Sequence, residues 1–270
     1  MEADIFWHSF GAVHSCAPVT LALHGFMGCG DDWRFLNAAE RLLLCPDLPG
    51  HGHTRIDTVN AAAGMPEVAE ALVAALHEHG HVPVSLIGYS MGGRIALYLA
   101  TRHPQLFSCL VIISASPGLR TRTERRQRQE QDEALEQTLA RIGDDTAAFE
   151  AFLRQWYCQP LFSTLSCQPV LFESLIQRRL ENNPVALAPA ARSMSVSAQP
   201  GLWEQLKRLD MPVLIITGER DNKYGQLAAE MVALLPDATH EIIPNASHAP
   251  HNEQPDLCSK VIGNFLRDRG

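Results

Sequence analysis

The chain has 270 residues, of which 46% are hydrophobic and 19% are charged, a composition that suits a globular protein with a sizeable core. Its formal net charge of −8 argues against a general nucleic-acid binder, because phosphates attract proteins of the opposite sign. The seven cysteines are scattered without CxxC spacing, which predicts neither a disulfide framework nor a zinc site.

The start of the chain, MEADIFWHSFG, contains two acids and no long apolar core, so we expect no signal peptide. The sequence contains no uninterrupted apolar stretch of about 18 residues, so we expect no membrane span. Since the cysteines form no disulfide pattern, we expect reduced thiols, which are typical of a cytoplasmic protein. We therefore predict a cytoplasmic protein that neither binds nucleic acid nor inserts into a membrane. We expect a monomer or a weak oligomer.

Short apolar runs alternate with helical patterns along the chain. The predicted strands are 19–23, 41–45, 84–88, 109–114, 213–217 and 239–243. Most of these runs lack period-2 alternation, as parallel strands do when both of their faces are buried. The predicted helices between them are 66–79, 91–102, 226–235 and 256–267. This alternation predicts a doubly wound α/β fold, with a mostly parallel central sheet that binds ligands at the carboxyl ends of its strands.

The alternation stops between residues 117 and 209. Helical patterns at 122–141 and 146–157, together with several prolines, take the place of strands. A segment of this length cannot be a bare loop in a compact domain. The sequence therefore predicts a helical cap, 117–209, inserted into a core domain formed by 1–116 and 210–270.

The stretch GYSMG, residues 88–92, matches the pattern G-x-S-x-G between a predicted strand and a predicted helix. The pattern is typical of a nucleophile elbow, a tight turn whose strained backbone lifts Ser90 above the sheet edge. Side chains at Gly88 and Gly92 would collide in such a turn. The turn also aims the backbone N–H of Met91 at a developing oxyanion. A simpler interpretation is a glycine-rich junction with an incidental serine.

The partners of a catalytic serine are expected in the order acid, then histidine. Asp221 and His248 lie on the loops after the last two predicted strands, at the same sheet edge as the elbow. Glu219 is a rival acid nearer the strand end, whereas Asp210 precedes the strand and lies at the wrong edge. His251 is a rival histidine, which we expect to be a lone surface residue. The sequence therefore favours Asp221 and His248.

The loop HGFMG, residues 24–28, follows the first predicted strand. It is expected to present a second oxyanion donor, the backbone N–H of Phe26, opposite that of Met91. His24 is expected to hold loop backbone more readily than to react. The loop DLPGHGH, 47–53, is predicted to have a structural role near the site.

Together these elements resemble the α/β-hydrolase fold over nearly the whole chain. A narrower set of motifs resembles one family, the 2-succinyl-6-hydroxy-2,4-cyclohexadiene-1-carboxylate synthases of menaquinone biosynthesis. The motifs are HGFMGCGDDW (24–33), DLPGHG (47–52), GYSMGGR (88–94), QWYCQP (155–160), QRRLENNP (177–184), GERDNKY (218–224) and the arginine-rich run from Arg120.

This resemblance implies a lyase. Its members eliminate pyruvate from 2-succinyl-5-enolpyruvyl-6-hydroxy-3-cyclohexene-1-carboxylate, without a cofactor or a metal. Ser90, activated by His248 and Asp221, would act as a general base instead of an acyl acceptor. The N–H groups of Phe26 and Met91 would hold the enolate.

The implied substrate is a small molecule with three carboxylates, so its site requires fixed cations, preferably arginines. The resemblance implies six substrate-binding residues: Tyr89, Arg94, Arg128, Trp156, Arg179 and Lys223. Without it, the cap arginines and Lys223 would be expected in solvent and Trp156 in the core of the cap.

Other assignments stay open at this stage. The contacting arginine of the run could be Arg120, Arg122, Arg125, Arg126 or Arg128. Arg178 and Arg179 are adjacent, so one of them is expected to face outward. A carboxylesterase, a thioesterase or a C–C hydrolase with Ser90 as nucleophile is an alternative function, and a non-catalytic binding protein is another.

Overall fold

The computed structural model describes residues 5–12, 17–36, 38–54, 63–78 and 80–270. The strands of the described chain form one sheet in the order β1-β3-β2-β4-β5-β6-β7. Only β1 is antiparallel to its neighbour among the strand pairs described. The strands are β1 Trp7–Gly11, β2 Val19–Leu23, β3 Leu42–Pro46, β4 Val84–Tyr89, β5 Phe107–Ile113, β6 Val213–Gly218 and β7 Ala238–Ile243.

Helices connect these strands and form the segment between β5 and β6. They are α1 Met65–Glu78, α2 Met91–Arg102, α3 Arg122–Ile142, α4 Thr146–Tyr157, α5 Pro169–Arg179, α6 Pro184–Ser193, α7 Asn222–Val232, α8 Pro250–Glu253 and α9 Pro255–Arg269. No helix in the part of the chain that the structure describes is both long and apolar enough to cross a membrane.

The six predicted strands correspond to β2 through β7, each within two residues of its observed bounds. The short edge strand β1 was not predicted, because its sequence WHSFG is only partly apolar and its side chains are partly exposed. Helix α7 begins at Asn222, four residues earlier than predicted, because the Asp221 carboxylate caps it by accepting the Tyr224 N–H. One of the seven cysteines, at position 16, and the last residue of the predicted helix 66–79 lie outside the described residues.

The sheet has a hydrophobic layer on each face. In β4, Leu86 packs in the layer that contains α1 and α2, and the next residue, Ile87, packs in the layer that contains α9. Every residue of β4 and β6 is buried. Both faces of a central strand therefore need apolar side chains, which accounts for the continuous apolar runs. The predicted fold class is confirmed.

Helices α3 to α6 lie within the segment 117–209, which we call the cap. Each helix has a local start signal. Thr121 and Glu124 form a capping box at α3, and Asp145 and Asn183 cap α4 and α6. Prolines occupy the first turns of α5 and α6, where a missing N–H costs nothing. The boundary between cap and core stays a prediction.

Candidate active site

The turn from β4 to α2 leaves no room for side chains beside Ser90. Ser90 has φ +48° and ψ −107°, a strained conformation for a residue other than glycine. A Cβ on Gly88 would lie 2.4 Å from the Gly92 carbonyl oxygen, and one on Gly92 would lie 2.1 Å from that of Leu23. Both positions therefore require glycine, and the turn projects the Ser90 side chain at the carboxyl edge of the sheet.

Three side chains form a hydrogen-bonded chain at this edge. Ser90 Oγ lies 3.1 Å from His248 Nε2, and His248 Nδ1 lies 2.7 Å from Asp221 Oδ2. His248 and Asp221 are buried. A carboxylate can only accept, so it selects the tautomer in which Nδ1 donates and Nε2 is free to take a proton from Ser90. The arrangement can perform proton abstraction or nucleophilic attack.

A buried glutamate that the sequence reasoning missed holds the His248 loop. Glu253 accepts hydrogen bonds from the backbone N–H groups of Ser247 and Ala249, on either side of His248. It also accepts from the hydroxyl of Thr164 in the cap. No pattern in the sequence indicates this role for Glu253, because its partners are backbone N–H groups and the hydroxyls of Ser247 and Thr164.

The rival residues lie elsewhere. Glu219 is exposed and accepts the Asn245 N–H, and Asp210 is exposed before β6. The prediction that His251 is a surface residue is wrong. Helix α8 turns its ring inward, 4.2 Å from the Tyr89 ring and 5.8 Å from that of Trp33. Burial lowers the pKa of His251 to about 3.

The loop after β2 is held by its own backbone and by His24. Leu48 N–H donates to His24 Nε2 at 2.9 Å, so Nδ1 carries the proton and donates to the Gly25 carbonyl at 2.8 Å. His24 therefore has the structural role that the sequence predicts. Phe26 on this loop and Met91 at the start of α2 border the same cavity.

His8, Asp47 and His53 form a group with metal-ligand spacing, their ligand atoms within 4.8 Å of one another. The buried Asp47 carboxylate already accepts hydrogen bonds from the Gly30 and His53 N–H groups. His8 Nε2 and His53 Nδ1 lie 3.1 and 3.3 Å from the same carboxylate. We interpret the group as a hydrogen-bond network that holds the loop after β3 beside β1.

A cavity of about 180 Å³ lies between the cap and the carboxyl edge of the sheet. Ser90 and His248 border it on the core side, and Leu161 and Phe162 border it from the cap. Its charged lining consists of Arg94, Arg128 and Arg179. Among the described residues, no aspartate or glutamate lines it, so its surroundings favour an anionic ligand.

Arg94 projects from the first turns of α2 and is held by the cap. Its Nη2 donates to the Met194 carbonyl at 2.8 Å, and its Nη1 donates to Gln199 Oε1 at 3.4 Å. It forms no ion pair with any described residue. Burial lowers the pKa of Arg94 to about 10, so the guanidinium stays charged at neutral pH.

Arg128 on α3 is held differently. Its Nε donates to Asp132 Oδ1 at 2.7 Å. The buried Asp132 carboxylate also accepts from the hydroxyls of Ser195 and Ser197, with Ser197 Oγ at 2.6 Å. Asp132 therefore fixes the direction of the Arg128 guanidinium at the cavity wall.

The other arginines of the cap run do not line the cavity. Arg120 pairs with Glu230 and lies over the Trp203 ring. Arg125 donates to the carbonyls of Ser197 and Gln199. The remaining two, Arg122 and Arg126, are exposed.

The sequence of this chain matches known proteins over nearly its full length. Residues 21–261 match the pattern of the Alpha/beta hydrolase family. A putative 2-succinyl-6-hydroxy-2,4-cyclohexadiene-1-carboxylate synthase of Bacillus subtilis (strain 168) is 37% identical over 265 residues, covering 93% of this chain and 91% of that protein. A synthase of the same name from Enterobacter sp. (strain 638) is 33% identical, with 93% of each chain covered.

A solved structure, MenH from S. aureus, superposes with a TM-score of 0.89 at 29% identity, covering 99% of both chains. The chain belongs to the alpha/beta hydrolase family and, within it, to the family of these synthases.

Five of the six residues implied by resemblance to the synthase family line the cavity: Tyr89, Arg94, Arg128, Trp156 and Arg179. Tyr89 is buried beside the His248 ring, and Trp156 packs edge-to-face on Phe26. Arg179 is buried and paired with Asp32, a partner that the sequence did not predict. Its neighbour Arg178 is half-buried and donates to Asn252, so neither adjacent arginine faces fully outward.

The structure does not place the sixth residue, Lys223, at the cavity. It is exposed and does not line the cavity. Asp221 caps α7, so the first turn of that helix contains both Lys223 and Tyr224. Tyr224 lines the cavity, whereas the Lys223 ammonium lies outside the lining, 5.5 Å from the centroid of the Tyr224 ring. The Tyr224 ring lies 4.5 Å from the His248 ring and lines the cavity, which the sequence reasoning missed.

Proposed function

We propose that this chain is a lyase that eliminates pyruvate from 2-succinyl-5-enolpyruvyl-6-hydroxy-3-cyclohexene-1-carboxylate. The product is 2-succinyl-6-hydroxy-2,4-cyclohexadiene-1-carboxylate, a step of menaquinone biosynthesis that we place in the cytoplasm. One observation carries the proposal. The serine-histidine-aspartate chain opens into a cavity lined by three arginines and, among the described residues, by no carboxylate. The names of the relatives support it independently.

The charge of the cavity supports a substrate with several carboxylates. Arg94 lies one helical turn beyond Ser90, so a carboxylate bound there holds its substrate close to the reacting hydroxyl. A partly buried guanidinium without a counter-ion binds carboxylates strongly, because the ion pair restores the solvation that burial removed. Arg128 provides a second guanidinium from the cap, on a side chain that is 39% exposed and pairs with Asp132 through its Nε.

In the proposed reaction, His248 Nε2 takes the Ser90 proton as Ser90 Oγ removes the ring proton alpha to the succinyl ketone. Asp221 stabilises the imidazolium that forms. The C–H electrons form an enolate, and their movement through the ring breaks the C–O bond to the enolpyruvyl group. Pyruvate leaves as its enolate, which the proton held by the Ser90–His248 pair neutralises. No ester is cleaved and no acyl-enzyme forms.

The developing enolate oxygen requires hydrogen-bond donors. The backbone N–H groups of Phe26 and Met91 are our candidates, since both residues border the cavity and Met91 begins helix α2. Each donor lowers the barrier by about 3 kcal/mol in comparable oxyanion sites. These donors and the base account for the proposed reaction without a cofactor.

An esterase with the same triad would need a predominantly apolar acyl pocket, with the cap arginines in solvent. The arginines at the cavity wall count against that alternative. The test is to supply the enolpyruvyl cyclohexene substrate and to follow pyruvate with a coupled dehydrogenase. We expect rapid pyruvate release, whereas no pyruvate together with fast hydrolysis of simple esters would overturn the lyase proposal.

A further inference from the structure

Residues 24–32, which we call the oxyanion loop, follow β2 and contain Phe26. Met27 in this loop has φ +62°, a left-handed backbone conformation that non-glycine residues rarely adopt. Such conformations persist only where the surrounding structure holds them. The Gly28 N–H donates to the Gly25 carbonyl at 2.9 Å and closes a turn that contains both Phe26 and Met27, so a contact that holds Met27 also restrains the segment that carries the Phe26 N–H.

The segment between α5 and α6, in the cap, supplies one of these holding contacts. Asn182 Nδ2 donates to the Met27 carbonyl at 3.0 Å, and Asn182 Oδ1 accepts the Gly52 N–H at 2.9 Å. Asn182 is buried but does not line the cavity. Its side chain therefore connects two loops of the core with no route to a bound ligand.

Arg179 supplies a second contact three residues earlier. Its Nη1 and Nη2 each lie 2.8 Å from an oxygen of the Asp32 carboxylate, and its Nε donates to the Tyr157 hydroxyl at 3.1 Å. Both charged side chains are only 4% exposed. Asp32 closes the loop from inside, since its Oδ2 accepts the Cys29 N–H.

The Arg179–Asp32 pair is internally balanced. Although burial disfavours both charged forms, each partner stabilises the charge of the other, which lowers the pKa of Asp32 and raises that of Arg179. Arg94, by contrast, donates to a carbonyl and an amide oxygen and forms no ion pair within 4 Å among the described residues. The two arginines border one cavity but differ in the charge that they leave for a substrate.

We propose that Arg179 is a positioning residue, which acts through Asp32 and together with Asn182 to hold the oxyanion loop against the cap. The inference rests on the proposed function, in which the Phe26 N–H stabilises the enolate. It removes Arg179 from the set of substrate counter-ions and adds Asp32 and Asn182 to the residues that determine the rate. The contact between the cap and the oxyanion loop is thereby coupled to the alignment of the Phe26 N–H.

Asn182→Ala tests the inference without changing any charge. We expect kcat for pyruvate release to fall about tenfold, with KM changed less than about twofold, because only transition-state stabilisation is lost. Asn183→Ala is the matched control. Asn183 caps α6 and is exposed, so its loss lowers stability but leaves kcat unchanged. An unchanged kcat in Asn182→Ala, or an equal fall in Asn183→Ala, overturns the inference.

Arg179→Gln and Asp32→Asn separate positioning from substrate binding. A positioning pair predicts that both variants lower kcat and leave KM within about threefold of the wild-type value. A counter-ion role predicts that Arg179→Gln raises KM about tenfold or more, while Asp32→Asn frees the guanidinium and leaves KM unchanged or lower. The second pattern contradicts the inference.

Hydrogen exchange of the loop amides gives a readout that does not depend on the reaction. In the substrate-free protein, we expect exchange in the peptide spanning residues 24–30 to be at least about tenfold faster in Asn182→Ala than in Asn183→Ala. Equal exchange overturns the positioning role. If the two variants differ in exchange as expected but the wild-type protein releases no pyruvate, the result contradicts the proposed function alone.

Discussion

Arg94 on helix α2 of the core donates a hydrogen bond of 2.8 Å to the carbonyl oxygen of Met194 in the cap. The contact fixes the guanidinium at the cavity wall without neutralising it, since a carbonyl carries no net charge. Burial of a cation in this state costs free energy, and binding of an anion recovers it. Arg94 is therefore the residue at which the charge of the cavity is most directly available to a carboxylate.

Arg94→Ala tests that availability. A hydrogen bond to a charged group contributes about 1.5–3 kcal/mol, so we expect KM for the substrate to rise about tenfold to a hundredfold. The value of kcat should change less, because the carboxylate is charged throughout the reaction. Steady-state kinetics of pyruvate release measure both constants.

Arg126→Ala is the control for this experiment. Arg126 is an exposed cap arginine that pairs with Glu130 on the same helix, so its loss removes an equal charge far from the cavity wall. We expect its KM to stay at the wild-type value. A wild-type KM in Arg94→Ala would contradict the role of that guanidinium.

Asp221→Asn tests the orientation of the histidine. An amide does not stabilise the imidazolium and permits the wrong tautomer of His248, so kcat should fall on the order of 10³-fold near neutral pH. Glu219→Gln is the matched control, because Glu219 is the exposed rival acid two residues earlier. If Glu219→Gln lost as much activity as Asp221→Asn, the assignment of the acid would be wrong.

Much of the site could be predicted because its signals are local in the sequence. The glycines around Ser90 are needed within one turn, and Asp221 and His248 each follow a buried strand directly. The apolar runs of the central strands likewise reflect burial on both faces. Such features depend on a few neighbouring residues, and a sequence displays them without knowledge of the whole fold.

The remaining features depend on contacts between distant segments. Asp32 and Arg179 are 147 positions apart, and no local pattern indicates their pairing. The exposure of Lys223 depends on where α7 begins, one residue after Asp221. His251 has no distinguishing pattern, and only the packing of α8 beneath Tyr89 shows that it is buried.

Buried histidines predict a loss of stability in mild acid. Burial lowers the pKa of both His51 and His251 to about 3, whereas an unfolded histidine titrates at about pH 6.5. Between these two values the unfolded chain binds more protons, so the free energy of unfolding falls as the pH decreases. Each residue contributes a loss of about 2 kcal/mol between about pH 6.5 and pH 5.

Urea unfolding measures this dependence. We expect a lower urea midpoint at pH 5 than at pH 7.5, with a smaller difference in His251→Gln, which lacks one of the two groups. Equal midpoints at the two pH values in the wild-type protein would show that these imidazoles titrate alike in the folded and unfolded states.

The central claim is that Ser90 removes a proton in a pyruvate-eliminating reaction. The most direct measurement is the rate of pyruvate release from the enolpyruvyl cyclohexene substrate by wild-type protein and by Ser90→Ala, side by side at neutral pH. The account predicts turnover by the wild type and a fall of at least about 10³-fold in Ser90→Ala. Near-native pyruvate release by Ser90→Ala would contradict it.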